Sequence, residues 1–379
     1  GGEVIYLDSA ATTLQKPRAV GEAMMAAMRT MASPGRGGHR PAMLAAEKAY
    51  ACRAALAKLF NAPGPENVVF TLNATHALNI AINGLVSAGD RVVVSGWEHN
   101  AVTRPLRMLG ANVDVVRTPL FDRAAALEGF AERIPGADCV VCTHVSNVFG
   151  FVLPVYAIAE LCREHGVPFI LDASQSAGAL PVDMAKLGAD FIAMPGHKGL
   201  LGPQGTGVLL CKYPPSPLMA GGTGSMSLSQ DMPEFLPDRL EAGTHNIPGI
   251  AGLLAGVEYI ERRGISAIEL HERRLMRAMA QLLRTVPGLE VFLSEDMSSQ
   301  AGVLSIRHER VGSEELGEAL GKLGVCVRAG LHCAPYAHES AGTLETGTVR
   351  LSVSPFNTTQ EIHRVPGLVQ RALKLASGV

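Results

Sequence analysis

Short apolar runs alternate with stretches of helical period from about residue 65 to 211, and no other feature restricts the fold of this chain as tightly. Val68–Thr71, Arg91–Ser95, Asn112–Val116, Cys139–Thr143, Pro168–Leu171, Asp190–Ala193 and Thr206–Cys211 read as strands. Thr75–Val86, a stretch after Asn100, and Val155–His165 read as helices between them. Strands this uniformly apolar are covered on both faces, and helical connections bring successive strands in parallel. The expectation is an α/β fold built on a large, mostly parallel, helix-covered sheet.

A Gly- and Pro-rich stretch, Pro214–Pro237, breaks this rhythm. Beyond it, helical segments Ile250–Arg263 and Ile265–Thr285 lead into short strands at Val303–Ile306, Val325–Arg328 and Thr348–Ser352, then a last helix, Thr359–Leu375. Three parts are expected: residues 1–15 packing on the small domain, a large domain over 16–248, and a smaller α+β domain over 249–379. A length of 379 residues suits two domains, and 47% hydrophobic against 18% charged residues supplies their cores. Lys plus Arg is 33 and Asp plus Glu 35, a net charge of −2 without the basic footprint of a nucleic-acid or membrane-surface binder. The longest apolar runs, such as Val167–Leu171, are too short to span a bilayer. The start, Gly1-Gly2-Glu3, shows no basic stretch followed by an apolar one, so no signal peptide is expected. Seven scattered cysteines (Cys52, Cys139, Cys142, Cys162, Cys211, Cys326 and Cys333) read as reduced thiols of a cytoplasmic protein.

The ends of the strands carry the chemistry. Lys198 lies in Met194-Pro195-Gly196-His197-Lys198-Gly199, directly after the strand Asp190–Ala193. Open α/β sheets bind ligands at such carboxyl ends. A lysine buried there beside other cations holds its proton less tightly and becomes a nucleophile toward an aldehyde; taken alone, it reads more readily as a solvated loop lysine. Asp172 closes the run Val167-Pro168-Phe169-Ile170-Leu171, where a carboxylate needs a partner. A protonated pyridine nitrogen would be such a partner, and the ring would stay electron-poor; the plainer alternative is a helix cap. Gln175 is within reach of such a ring's phenolic oxygen. In Asn73-Ala74-Thr75-His76 a strand turns into a helix, whose free N–H groups and Thr75 hydroxyl suit a phosphate or a simple cap. His99, in Trp97-Glu98-His99-Asn100, would stack on a ring and move protons, or serve structure alone. An amine, a carboxylate, phosphate donors and a ring cover together meet the needs of pyridoxal 5′-phosphate (PLP), held as a Schiff base on Lys198.

The ordered set Tyr6-Leu7-Asp8-Ser9-Ala10-Ala11, Glu98-His99-Asn100, His144-Val145-Ser146-Asn147, Asp172-Ala173-Ser174-Gln175 and Gly196-His197-Lys198 resembles the class V aminotransferase superfamily. Within it, the cysteine desulfurase and selenocysteine lyase family matches best, extended by Glu241-Ala242-Gly243-Thr244 and Val349-Arg350-Leu351-Ser352. The resemblance implies fold type I and a homodimer with active sites at the subunit interface. It implies PLP on Lys198, Asp172 at the ring nitrogen, Gln175 at the phenolic oxygen, and His99 on the ring. Thr75 and His197 would contact the phosphate, joined by the partner subunit's Thr244. Asn147 and Arg350 would hold the substrate carboxylate, with Arg328 and His39 also among the substrate-binding residues.

Cys333 lies in Arg328-Ala329-Gly330-Leu331-His332-Cys333-Ala334-Pro335, a loop between two small-domain strands. Desulfuration needs a thiolate to take the sulfur of cysteine as a persulfide, and a flexible loop thiol beside histidine and arginine suits that task. Cys52, Cys162, Cys211 and Cys326 read as inert. Cys139 and Cys142 stand three apart on a strand, so they face opposite ways, and no metal site is expected there. Two positions depart from the family pattern: Pro195 stands where relatives often carry a hydroxyl near the phosphate, and Leu331 replaces the first histidine of a His-His-Cys form.

The expected activity is removal of sulfur or selenium from L-cysteine or L-selenocysteine to give L-alanine, through a Cys333 persulfide passed to a thiol or a sulfur-acceptor protein. The alternative enzyme is another class V PLP protein (a β-lyase, aminotransferase or epimerase) that does not use Cys333. A non-catalytic relic with the same fold would have no physical need for Asp172, Lys198 and Arg350 together. Gly202-Pro203-Gln204-Gly205-Thr206-Gly207 lacks the Gly-Lys-Ser/Thr ending of a P-loop, which leaves little for a nucleotide-binding reading.

Overall fold

A computed structural model describes residues 3–378; Gly1, Gly2 and Val379, including most of the start read above, lie outside the described residues. The chain opens with strand β1 (Ile5–Tyr6) and helices α1 (Arg18–Thr30) and α2 (Arg40–Phe60). Then come β2 (Val68–Thr71), α3 (Ala74–Leu85), β3 (Arg91–Ser95), α4 (Asn100–Leu109), β4 (Asn112–Val116), α5 (Arg123–Arg133) and β5 (Cys139–Thr143). α6 (Val155–Glu164), β6 (Phe169–Asp172), the single turn α7 (Met184–Leu187), β7 (Phe191–Pro195) and β8 (Gly207–Cys211) complete this series.

Strands β2 to β8 form one seven-stranded sheet in the order β2-β8-β7-β6-β5-β3-β4. The contacts among β3, β4, β5, β6 and β7 are all parallel, and β8 alone runs antiparallel to both its neighbours. The expected mostly parallel α/β sheet is therefore present, and its strands are apolar because helices cover both faces. Alternation along β5 shows the two faces directly. Cys139 and Val141 enter the core beneath α3 and α4, whereas Val140 and Cys142 enter the opposite core with Trp97, Phe149 and Phe151.

α8 (Ile247–Arg263) packs its buried face against α1 and α2 and belongs to the large-sheet core. α9 (Ile265–Leu283) carries the chain to a second core. There β9 (Leu289–Val291) and β10 (Val303–His308) are followed by α10 (Ser313–Lys322), β11 (Val325–Cys326), β12 (Arg328–Gly330), α11 (Pro335–Ala341), β13 (Thr348–Ser352) and α12 (Thr359–Ser377). An antiparallel sheet of order β12-β13-β10-β9 backs on α9, α10 and α12. The single strand expected over Val325–Arg328 is two strands in two sheets. Val325 and Cys326 pair with β1, and Arg328 to Gly330 pair with β13. The pattern of apolar residues gives no sign of a change of partner, because both halves stay extended.

Residues 5–13 stitch the two parts together. Leu7 N donates to Cys326 O at 2.9 Å, and Ser352 N donates to Leu7 O at 2.8 Å. Ala10 N donates to Ser352 Oγ at 2.8 Å, and Thr13 N reaches His197 O at 3.1 Å. No helix among the described residues is long and apolar enough to cross a membrane.

Candidate active site

Parallel pairing aligns the carboxyl ends of β3, β5, β6 and β7, so the residues that end or follow them gather at one edge: His99, Asn147, Asp172 and Lys198. Lys198 is half-buried in a loop whose backbone is held from residues 12 and 13. Burial, and then the charge of Arg350, lower its ammonium pKa to about 8, while Asp172, Cys333 and Asp8 pull the other way. An amine that yields its proton this readily is a nucleophile near neutral pH. His197 meets Thr12 Oγ1 through Nδ1 at 3.0 Å, and burial, then Lys198 and Lys16, lower its pKa to about 4.

Asp172 is buried, with Oδ1 accepting from Ser174 N at 3.0 Å and Ser174 Oγ at 2.6 Å. Its Oδ2 has no hydrogen-bond partner among the described residues, and burial raises the carboxyl's pKa. Such an oxygen calls for a cationic N–H. His99 caps α4, its Nδ1 accepting from Ala101 N at 2.9 Å. That bond leaves the ring proton on Nε2. Burial, and then Lys198, Arg350 and Arg104, lower the imidazole pKa to about 4, so it stays neutral. Gln175 donates from Nε2 to Ala10 O at 3.0 Å.

At the first turn of α3, Asn73 Oδ1 accepts from His76 N at 2.8 Å, and the exposed Thr75 hydroxyl has no partner among the described residues. Gly207 lets β8 pass this turn closely. A Cβ there would lie 2.5 Å from Thr71 Oγ1 and 2.6 Å from the Asn73 backbone.

Arg350 is buried on β13. Its Nη1 donates to Asn147 O at 3.2 Å, its Nη2 lies 3.5 Å from Asp8 Oδ1, and its Nε is buried without a partner. An unfilled guanidinium edge beside the other site residues fits a carboxylate. Arg328 faces Arg350 directly across the β12–β13 pair and is held by Asp8 Oδ2 at 3.0 Å.

Cys333 is exposed, and its carbonyl oxygen accepts from Asn100 N at 2.7 Å, next to His99. The preceding carbonyl, of His332, accepts from Asn147 Nδ2 at 2.8 Å. His332 and Cys333 both have φ of 55°, a left-handed conformation that side-chain-bearing residues adopt at a cost. Burial, and then Arg350, lower the His332 pKa to about 3, so this histidine is neutral beside the thiol.

Two expected site residues stand apart from this group within the chain. Thr244 is exposed and lines a cavity with His76 and Gly207 near the start of α3, whereas Lys198 lines a different one. His39 is exposed and caps α2, its Nδ1 accepting from Ala42 N at 3.2 Å.

The family described as aminotransferase class-V matches residues 5–365. The chain belongs to this family. A probable cysteine desulfurase of Methanothermobacter thermautotrophicus is 36% identical over 376 residues, covering 94% of this chain and 92% of the relative. The solved cysteine desulfurase of Thermococcus onnurineus superposes with a TM-score of 0.90 at 31% identity, covering 99% and 95% of the two chains. Escherichia coli cysteine desulfurase CsdA superposes with a TM-score of 0.85 at 29% identity, covering 98% and 95%. These neighbours make the architecture fold type I.

Class V aminotransferases and cysteine desulfurases are PLP enzymes, and the residues here fit that cofactor. The open Asp172 Oδ2, the Lys198 amine with its lowered pKa and the uncovered start of α3 would offer ring, aldehyde and phosphate contacts. Pro195 ends β7 opposite Gly207 and offers no N–H or hydroxyl there. Two further residues, given no role above, make buried contacts beside these groups. Asp8 bridges both arginines, and its signal was its place in the Tyr6-Leu7-Asp8 motif. Glu98, beside His99, is fully buried, and its Oε2 accepts from Ser95 Oγ and, at 3.0 Å, from Thr143 N.

Proposed function

We propose that this chain is a PLP-dependent cysteine desulfurase that releases L-alanine from L-cysteine or L-selenocysteine and receives the sulfur on Cys333. One observation carries the reading: the exposed thiol residue is hydrogen-bonded through its backbone to Asn100, beside His99 and within the electrostatic reach of Lys198 and Arg350. Asp172 and Lys198 would hold PLP, which when bound would supply an electron-poor ring that stabilises negative charge at the substrate's α-carbon.

The chain's own residues do the rest. Arg350 binds the substrate carboxylate through its unfilled Nε edge, and Asn147 fixes both that arginine and the thiol loop. Lys198 Nζ takes the α-proton, a task suited to an ammonium pKa of about 8. His99 covers the ring and offers its Nε2 proton. Asp172 holds the ring nitrogen, Gln175 keeps one amide N–H for the phenolic oxygen, and Thr75 and His197 serve the phosphate.

The same reading includes a homodimer in which the partner subunit's Thr244 completes the phosphate contacts; the exposure of Thr244 supports it. Arg328 and His39 remain candidates for substrate contact, a thiol or carrier protein takes the sulfur, and the free cysteines support a cytoplasmic setting. The purified enzyme, given cysteine, cysteine sulfinate and selenocysteine in turn, should form alanine from cysteine or selenocysteine. Pyruvate in place of alanine would replace this reading with a β-lyase.

A further inference from the structure

Glu272 on α9 is only 7% exposed and has no hydrogen bond or ion pair among the described residues. It lines the same cavity as Lys198. Gly302 keeps this side open, since a Cβ there would crowd the Glu272 side chain at 3.2 Å. A second orphan shares the cavity: Ser9 Oγ, buried and unpartnered. Ser352 and Ser354 hydroxyls and the unbonded Oε1 of Gln175 add oxygen to the lining. Burial raises the carboxyl's pKa, which marks a group short of a counter-charge, although Arg263 lies near enough to oppose the shift. That arginine donates to Tyr259 Oη at 2.9 Å and to Pro355 O at 3.0 Å and makes no direct ion pair with Glu272.

A buried carboxylate is stable only with a counter-charge or a proton. The side-chain oxygens available are one carboxylate, hydroxyls and an amide oxygen, a hard and singly charged set. Among the described residues no group of three or more His, Cys, Asp or Glu stands ready for a metal of higher charge. We propose that this cavity binds a monovalent cation of the potassium or sodium class, held by the Glu272 carboxylate with Ser9 Oγ and neighbouring neutral oxygens. The ion would join residues 9–13, which hold the lysine loop, to α9 and the end of β13, and so fix the second sheet against the cofactor-bearing one.

The test uses the full-length protein in potassium, sodium or tetramethylammonium chloride at equal ionic strength. Potassium or sodium should raise Tm by about 2–4 °C over tetramethylammonium, whose methyl groups keep its charge beyond the reach of coordinating oxygens. In Glu272→Gln this difference should vanish. Crystals of the unaltered protein grown in rubidium chloride should show an anomalous peak beside the Glu272 carboxylate, a result that does not depend on the variant folding. Equal Tm values in all three salts, or only water beside Glu272 in the rubidium crystals, would overturn the proposal in favour of a protonated carboxyl.

Discussion

Asn147 donates from Nδ2 to the carbonyl oxygen of His332 at 2.8 Å, which ties the loop after β5 to the residue just before Cys333. Its own carbonyl accepts from Arg350 Nη1 at 3.2 Å, so one side chain and its backbone connect the carboxylate-binding arginine with the thiol. Asn147→Ala leaves the part-buried His332 carbonyl unpaired, at a cost of about 1–3 kcal/mol. The kcat/KM for cysteine should fall about 10- to 100-fold. Hydrogen exchange over residues 330–334 should quicken in the same variant; unchanged exchange would mean that Asn100 alone holds the loop.

Cys333→Ala should reduce alanine formation from cysteine to background, since no other exposed thiol is present among the described residues. Selenocysteine should still react, because selenium leaves carbon more readily without a thiolate acceptor. Product analysis by amino-acid chromatography separates the two outcomes, and undiminished alanine from cysteine would remove the thiol from the reaction.

Glu98 should make stability depend on pH. Burial, its largest influence, pushes the carboxyl up to about 8 from an ordinary 4.5. The folded chain thus keeps a proton that the unfolded chain gives up. Its contribution is intact below about pH 4.5 and is lost as pH rises through 8, at up to about 1.4 kcal/mol per unit. Glu98→Gln retains an oxygen for Ser95 and Thr143, and should flatten the decline of urea midpoints across that window. Identical slopes in the two proteins would show that Glu98 ionises within the fold.

Gly207→Ala tests the phosphate end. Its new methyl would press on Thr71 Oγ1 and the Asn73 backbone, displacing the first turn of α3. Overpacking of this kind costs about 1–3 kcal/mol, and PLP should dissociate about tenfold more readily. Loss of visible absorbance during dialysis gives the measurement, and retention equal to the parent would place the phosphate elsewhere.

The sheet was legible in the sequence because each strand is a short apolar run closed by a polar or turn residue. Val68–Thr71, Arg91–Ser95, Asn112–Val116 and Cys139–Thr143 agree with the structure at both ends. Lys198 and Asp172 were legible for a related reason: polar residues directly after such runs stand at the open edge of the sheet. Contacts across long sequence distances were not. Nothing local in Asp8 announces two arginines more than 300 residues away, and nothing in Glu98 announces that it closes onto Thr143 beneath the site. The divided stretch at 325–330 was missed because pairing partners, not residue types, separate its halves.

Residues 5–13 reach both the last strand of the second sheet and the loop bearing Lys198, with 342 positions separating Ala10 from Ser352. A growing chain makes this ribbon early but cannot seat it until β13 exists. Catalytic competence should therefore arrive in a single late step, after most of the large sheet has formed, and partly synthesised chains should carry a folded sheet with an unfinished amine pocket.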